Sequence, residues 1–130
     1  MQALKLINEG KLDEAIEAAT TFVRNAPTNT GGREILAELF CLHGALERAD
    51  KQSETIMLQQ PDAAIRSSLL RQLIRAETAR RECWQHGRVP EFLGQPDDAC
   101  RATLKALIAL RNGQSQEAVD ELAQMEEALP

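Results

Sequence analysis

The sequence predicts an all-α fold: an array of helical hairpins, about seven helices in all, with one long irregular helix and one loop rich in proline and glycine. Three observations carry this. The composition is dominated by good helix formers, without Tyr and with only Phe22, Phe40, Phe92 and Trp84 aromatic, so it is poor in the residues strands favour. Apolar residues recur at three- and four-residue steps through most of the chain, the spacing of a helical face. Glycines and prolines fall at a regular interval.

In chain order, Ala3, Leu4, Leu6 and Ile7 describe a short helix that Gly10 ends. Ala15, Ile16, Ala18, Ala19, Phe22 and Val23 mark a second, which stops before Pro27 because proline disfavours helical geometry in the residue preceding it. A polar loop follows, with Thr30 as the expected N-cap of the next helix. There Ile35, Leu36, Leu39, Phe40 and Leu42 form the apolar face; Gly44 turns the chain; Ala49, Ile56 and Leu58 continue; and Pro61 closes the unit. Gly10, Ala15 and Pro27 map onto Gly44, Ala49 and Pro61, each displaced by 34 residues. That is the tetratricopeptide period, and Leu36, Ala37 and Phe40 stand where that repeat wants large, small and aromatic residues.

The segment after Pro61 breaks the rhythm. Ile65, Leu69, Leu70, Leu73, Ile74 and Ala76 keep helical spacing with no glycine or proline, which predicts one helix over 62–86 with Asp62 as its cap. Residues 87–96 form the loop, where Val89, Phe92 and Leu93 are expected to pack down. Asp97 or Asp98 caps the next helix, with Leu104, Leu107, Ile108 and Leu110 apolar; after Gly113, Ala118, Val119, Leu122 and Met125 are expected to be buried. Gly113, Ala118 and Pro130 lie 69 residues after Gly44, Ala49 and Pro61, two periods plus one residue. The reading is a single domain over 1–130, with hairpins at about 1–27, 30–61 and 97–130 around the long helix and its loop.

The net charge of −5 argues against a nucleic-acid or anionic-membrane binder, because phosphate contacts need clustered cations. No apolar run approaches the roughly 20 residues of a membrane span, and the acids near the N-terminus do not fit a secretory signal. Cys41, Cys83 and Cys100 are widely spaced, without a CxxC pair, and read as reduced, mostly buried small hydrophobes of a cytoplasmic protein.

Nothing in the sequence supplies catalytic, cofactor or metal chemistry. Cys41 and His43 lie about 200° apart on one helix and cannot converge; Cys83 and His86 share a face at a spacing common by chance. Two His and three scattered Cys do not make a metal set. Surfaces are more informative. Arg66, Arg71, Arg75, Arg80, Arg81 and Arg88 form a basic run. It is either a solvated helix face paired with Glu77 and Glu82 or a patch for an acidic peptide or domain. Trp84 either covers core beside Phe92 or anchors a partner. The first helices of stacked hairpins line a concave wall. Here that wall is Leu4 and Ile7, then Glu34, Glu38, Cys41 and Leu42, then Thr103, Leu107, Leu110 and Arg111. Either neighbouring helices cover it or an amphipathic helix docks there. The partner-binding candidates are Glu38, Cys41, Leu42, Arg71, Arg80, Trp84, Arg88, Leu107 and Arg111.

Four stretches carry a family resemblance: EGKLDEAIEAATTFVRNAPTN, REILAELFCLHGALERADKQ, RQLIRAETARRECWQHGRVPEFLGQP and ALIALRNGQSQEAVDELAQMEEALP. In this order they resemble the N-terminal half of the ImpE/SciE/TagJ accessory proteins of bacterial type VI secretion. The most specific parts are LAELFCLHGALERAD and the array Arg71, Glu77, Arg80, Gly87-Arg88, Pro90, Gly94 and Pro96. The resemblance implies a cytoplasmic, non-enzymatic adaptor that binds the N-terminal helix of the small sheath subunit and is linked to the unfoldase that recycles contracted sheath. The competing reading is a tetratricopeptide-like chaperone or scaffold for another client. Two departures stand out. The family usually continues into a second domain of similar length, so a chain stopping at Pro130 is expected to be an isolated N-terminal domain or a short variant. Asp97-Asp98-Ala99-Cys100 stands where the family often has a tryptophan.

Overall fold

The computed structural model describes residues 1–129. Seven α-helices and one 3₁₀ turn account for its regular structure: α1 (Gln2–Asn8), α2 (Leu12–Asn25), α3 (Thr30–His43), α4 (Leu46–Gln59), the turn Pro61–Ala63, α5 (Ala64–His86), α6 (Asp98–Arg111) and α7 (Ser115–Ala128). The all-α, tetratricopeptide-like reading holds. Two compact units divide the chain within α5, one spanning Met1–Thr78 and the other beginning at Ala79.

In the first unit α1 packs on α2, α2 on α3, and α3 on α4. The 34-residue echo is visible in the backbone. Gly44 adopts φ 88°, as Gly10 adopts φ 75° between α1 and α2, and its N–H together with that of Ala45 returns to α3 carbonyls. An L-residue is strained in that left-handed conformation, which is why glycine recurs at the turn. Small residues let the helices approach: Ala3, Ala15, Ala19, Ala37 and Ala49 are buried, with Val23, Leu36, Leu39, Phe40 and Ile56 as the larger core members. Leu70 and Ile74 of α5 pack against the same cluster.

The second unit is a hairpin of α6 on α7 together with the end of α5 and the loop. Its seam is made of alanines. Ala102, Ala106 and Ala109 of α6 are buried along with Ala118 of α7, so short side chains bring the two helices together and the leucines of α6 are left facing elsewhere. Gly113 turns this hairpin (φ 76°) as Gly44 turns the other. Pro130, the last member of the 69-residue echo, lies outside the described residues.

Several local expectations are corrected. The cap of α3 is Asn29, whose Oδ1 accepts the Gly32 N–H at 2.8 Å; Thr30 is already helical and donates to Gln60 Oε1. Asp62 lies inside the 3₁₀ turn, two residues before α5 begins at Ala64. Of the two aspartates before α6, Asp97 caps, accepting the Cys100 N–H at 2.7 Å, and that hydrogen bond holds its carboxyl below the usual carboxylate range. Val89, Phe92 and Leu93 are exposed rather than packed; the loop end is held instead by Arg101, which donates to the Pro96 carbonyl. Val119 and Leu122 are exposed too; Ala118 is the buried residue of α7. The cysteines are less buried than expected: Cys41 and Cys83 are intermediate and Cys100 is exposed.

Replacing Asn29 by alanine leaves the α3 N-terminus without its cap and is expected to lower stability by about 1 kcal/mol. Urea denaturation followed by circular dichroism reads it; a loss below about 0.3 kcal/mol would mean that Thr30 takes over the capping.

Candidate functional site

Two surface depressions, one in each unit, gather most of the candidate residues. In the first unit a groove of about 210 Å³ runs between α3 and α5. Glu34 and Glu38 stand on its α3 side, Leu69, Leu70 and Leu73 on its α5 side, and Ser53 and Ile56 of α4 form its floor. The floor is sealed: Ile56 is 1% exposed, and Ser53, fully buried, satisfies its hydroxyl by donating to the Ala49 carbonyl.

The walls are open. Ile65, Leu69 and Leu73, spaced four residues apart along one face of α5, are 85%, 58% and 59% exposed. Sequence periodicity assigns these residues to a buried face; the buried members of α5 are instead Ser67 and Ile74. On the facing helix Glu34, Glu38 and Leu42 recur at the same four-residue step, and Leu42 is exposed. Arg66 spans from α5 to Glu34 at 3.4 Å. Glu38 forms no ion pair among the described residues, and its carboxylate is left at the edge of an apolar trough. Cys41 sits half-buried one turn on, its thiol pushed up first by burial and then by the Glu38 charge. A thiol shifted that way is less ionised at neutral pH, opposite to what a nucleophilic cysteine needs.

Arg71 does not join this surface. Its guanidinium faces α4, where Nε meets Asp50 Oδ1 at 2.8 Å and Nη2 meets Asp50 Oδ2 at 3.0 Å, with Glu54 at 3.6 Å. It ties α5 to α4. Arg80 is exposed on the part of α5 that belongs to the second unit.

In the second unit a cleft of about 140 Å³ is bounded by the end of α5 and by α6, and it brings together Trp84, Arg88, Leu107 and Arg111. Trp84 and Leu110 are more than half exposed there. Arg88 is paired with Glu82. Thr103, placed on the same wall from sequence, turns its hydroxyl back to the Ala99 carbonyl of its own helix. What sequence reasoning missed was Gly87, which here does more than end the helix. The guanidinium of Arg111 occupies the space a side chain at position 87 would fill, with Nη1 only 1.2 Å from where its Cβ would stand.

Among the described residues no group of three or more His, Cys, Asp or Glu is placed to hold a metal ion, and no helix is long and apolar enough to cross a membrane.

No family model matches the chain. It is 30% identical over 125 residues to the type VI secretion system accessory component TagJ of Pseudomonas aeruginosa, an alignment covering 95% of this chain and 44% of that protein. The crystal structure of protein VPA1032 from Vibrio parahaemolyticus superposes with a TM-score of 0.82 at 24% identity, covering 98% of this chain and 48% of that one; this likeness speaks to the fold. The chain spans less than half the length of both.

Proposed function

For a chain that is ImpE/TagJ-like over nearly its whole length, we propose the role of a cytoplasmic, non-enzymatic adaptor in type VI secretion, whose groove between α3 and α5 grips an amphipathic helix. The occupant implied by the family resemblance is the N-terminal helix of the small sheath subunit, and through it the adaptor takes part in sheath assembly or recycling by the unfoldase. The observation that carries the reading is the uncovered pair Leu69 and Leu73, continued along α5 by Ile65, facing the unpaired Glu38 across the sealed floor of Ser53 and Ile56. An apolar helix face fits that trough as a helix-in-groove anchor, and a lysine or arginine on its edge answers Glu38 by a charge-assisted hydrogen bond. Leu42, one turn along α3, extends the same wall.

Calorimetric titration with a synthetic peptide of that sheath helix tests the reading. Saturable binding in the micromolar range is expected. Replacing Leu69 and Leu73 together by alanine removes two apolar anchors on the surface and is expected to weaken binding by at least about tenfold. Glu38→Lys is expected to weaken it by about fivefold through like-charge contact. No binding at high micromolar peptide, or unchanged affinity in the double leucine variant, sinks the proposal.

A further inference from the structure

We propose that the cleft of the second unit is a separate docking site, for an acidic peptide segment carrying one bulky apolar anchor. Its wall of Trp84, Leu104, Leu107 and Ile108 stays free because the α6–α7 seam is closed by alanines, so these larger side chains are not needed to hold the hairpin together. A cavity of about 140 Å³ has room for a single large side chain, and a half-exposed tryptophan on its rim is a common anchor at protein interfaces.

Charge selects the occupant. Two guanidinium groups border the cleft, and they differ. Arg88 is answered within the chain, by Glu82 with Glu91 adding to its hold. Arg111 has no carboxylate partner among the described residues, and its guanidinium occupies the space that Gly87, at φ 68°, leaves bare. Its place in the last turn of α6 suits the helix dipole, and Gly87, left-handed where it ends α5, has no side chain to displace it. An unpaired guanidinium beside an apolar pocket fits a carboxylate one or two residues from an apolar anchor. One unpaired guanidinium at this cleft, on a chain of net charge −5, does not fit a phosphate backbone. The groove of the first unit, which presents the unpaired Glu38, favours the opposite charge, so the two sites select different partners and this inference does not depend on the sheath-helix reading.

Trp84 is the only tryptophan, so the fluorescence of the unaltered protein reports the cleft directly. The probes are a synthetic peptide with a Leu-Phe anchor flanked by glutamates and its counterpart with lysines in their place. Expected is a saturable change in Trp84 emission with the acidic peptide, at least about tenfold tighter than with the basic one. Arg111→Glu is expected to remove that preference, with circular dichroism checking the fold. Leu110→Ala, at an exposed lining position, leaves the fold intact and is expected to weaken binding by about threefold. Equal binding of the two peptides, no emission change with either, or affinity untouched in both variants overturns the proposal. So does an emission change that depends on protein concentration alone, which would make the occupant a second copy of the chain.

Discussion

Truncating Phe40 to alanine is expected to destabilise the Met1–Thr78 unit by about 3–5 kcal/mol, the range for deleting a buried aromatic ring, and to abolish helix binding in the α3–α5 groove. Phe40 is 2% exposed and belongs to the cluster that joins the first four helices to Leu70 and Ile74 of α5. Several members of that cluster are alanines with no exposed surface. Alanine has no flexible end to reach into a new cavity, so little collapse can offset the loss and the upper half of the range is expected. The ring also carries the Arg48 guanidinium 4.1 Å above its centroid, a contact of about 0.5–1 kcal/mol at a partly exposed site. Phe40→Leu keeps most of the volume but loses that contact, and should cost about half as much as the alanine variant. Urea denaturation monitored at the helical ellipticity band decides. A loss under about 1.5 kcal/mol for Phe40→Ala would mean that the array repacks around the gap.

The hairpins were legible because the signals that make them are local. A glycine that must turn left-handed, an alanine where helices touch and a proline that stops a helix act within a few residues, so their recurrence at Gly10 and Gly44 translated directly into backbone. Caps were less legible, because Asn29 and Thr30 are both competent and only the backbone geometry at the loop exit selects Asn29. The burial of α7 was misread for a different reason. Val119 and Leu122 look like a core face on hydrophobicity alone, but the hairpin closes on Ala102, Ala106, Ala109 and Ala118, whose short side chains allow the closer approach.

The same distinction limits what sequence says about the sites. Periodicity shows that Leu69 and Leu73 lie on one face of α5; it cannot show whether another helix covers that face, which depends on contacts between elements distant in the chain. Glu38 and Leu42 could be placed together on the outer face of α3 because its register fixes them relative to its buried residues Leu36, Leu39 and Phe40. Arginines gave the weakest guidance. Arg71, Arg88 and Arg111 are alike in sequence, yet one is tied to Asp50, one to Glu82, and one lies over a glycine with no acid beside it.

Removing Arg71 is therefore expected to act on stability and on the groove together. Its two hydrogen bonds to Asp50 hold α5 against α4, and the pair is only 19% and 31% exposed. Charge-assisted bonds of this kind are worth about 1.5–3 kcal/mol. Because solvent still reaches Asp50 and can rehydrate it, the lower part of that range, about 1.5–2 kcal/mol, is expected for Arg71→Ala. A cycle with Asp50→Ala should show a coupling near 1 kcal/mol. The pH dependence separates this bond from mere packing. The hydrogen bond from Arg71 holds the Asp50 carboxyl below its ordinary value, outweighing the opposite effect of burial. In the unfolded chain an aspartate titrates near about 3.9. A depressed folded pKa means that the contribution is fully present above the unfolded value and is lost as pH falls toward and through the folded one. The unaltered protein should hence lose stability more steeply below about pH 4 than Arg71→Ala does. Helix binding should weaken in the variant even at neutral pH, because α5 carries Leu69 and Leu73 away from Glu38 when its tie to α4 is cut. Parallel stability curves from pH 5 to 3 for the two proteins would show that Arg71 contributes through contact area alone, and undiminished binding would show that the groove keeps its width without it.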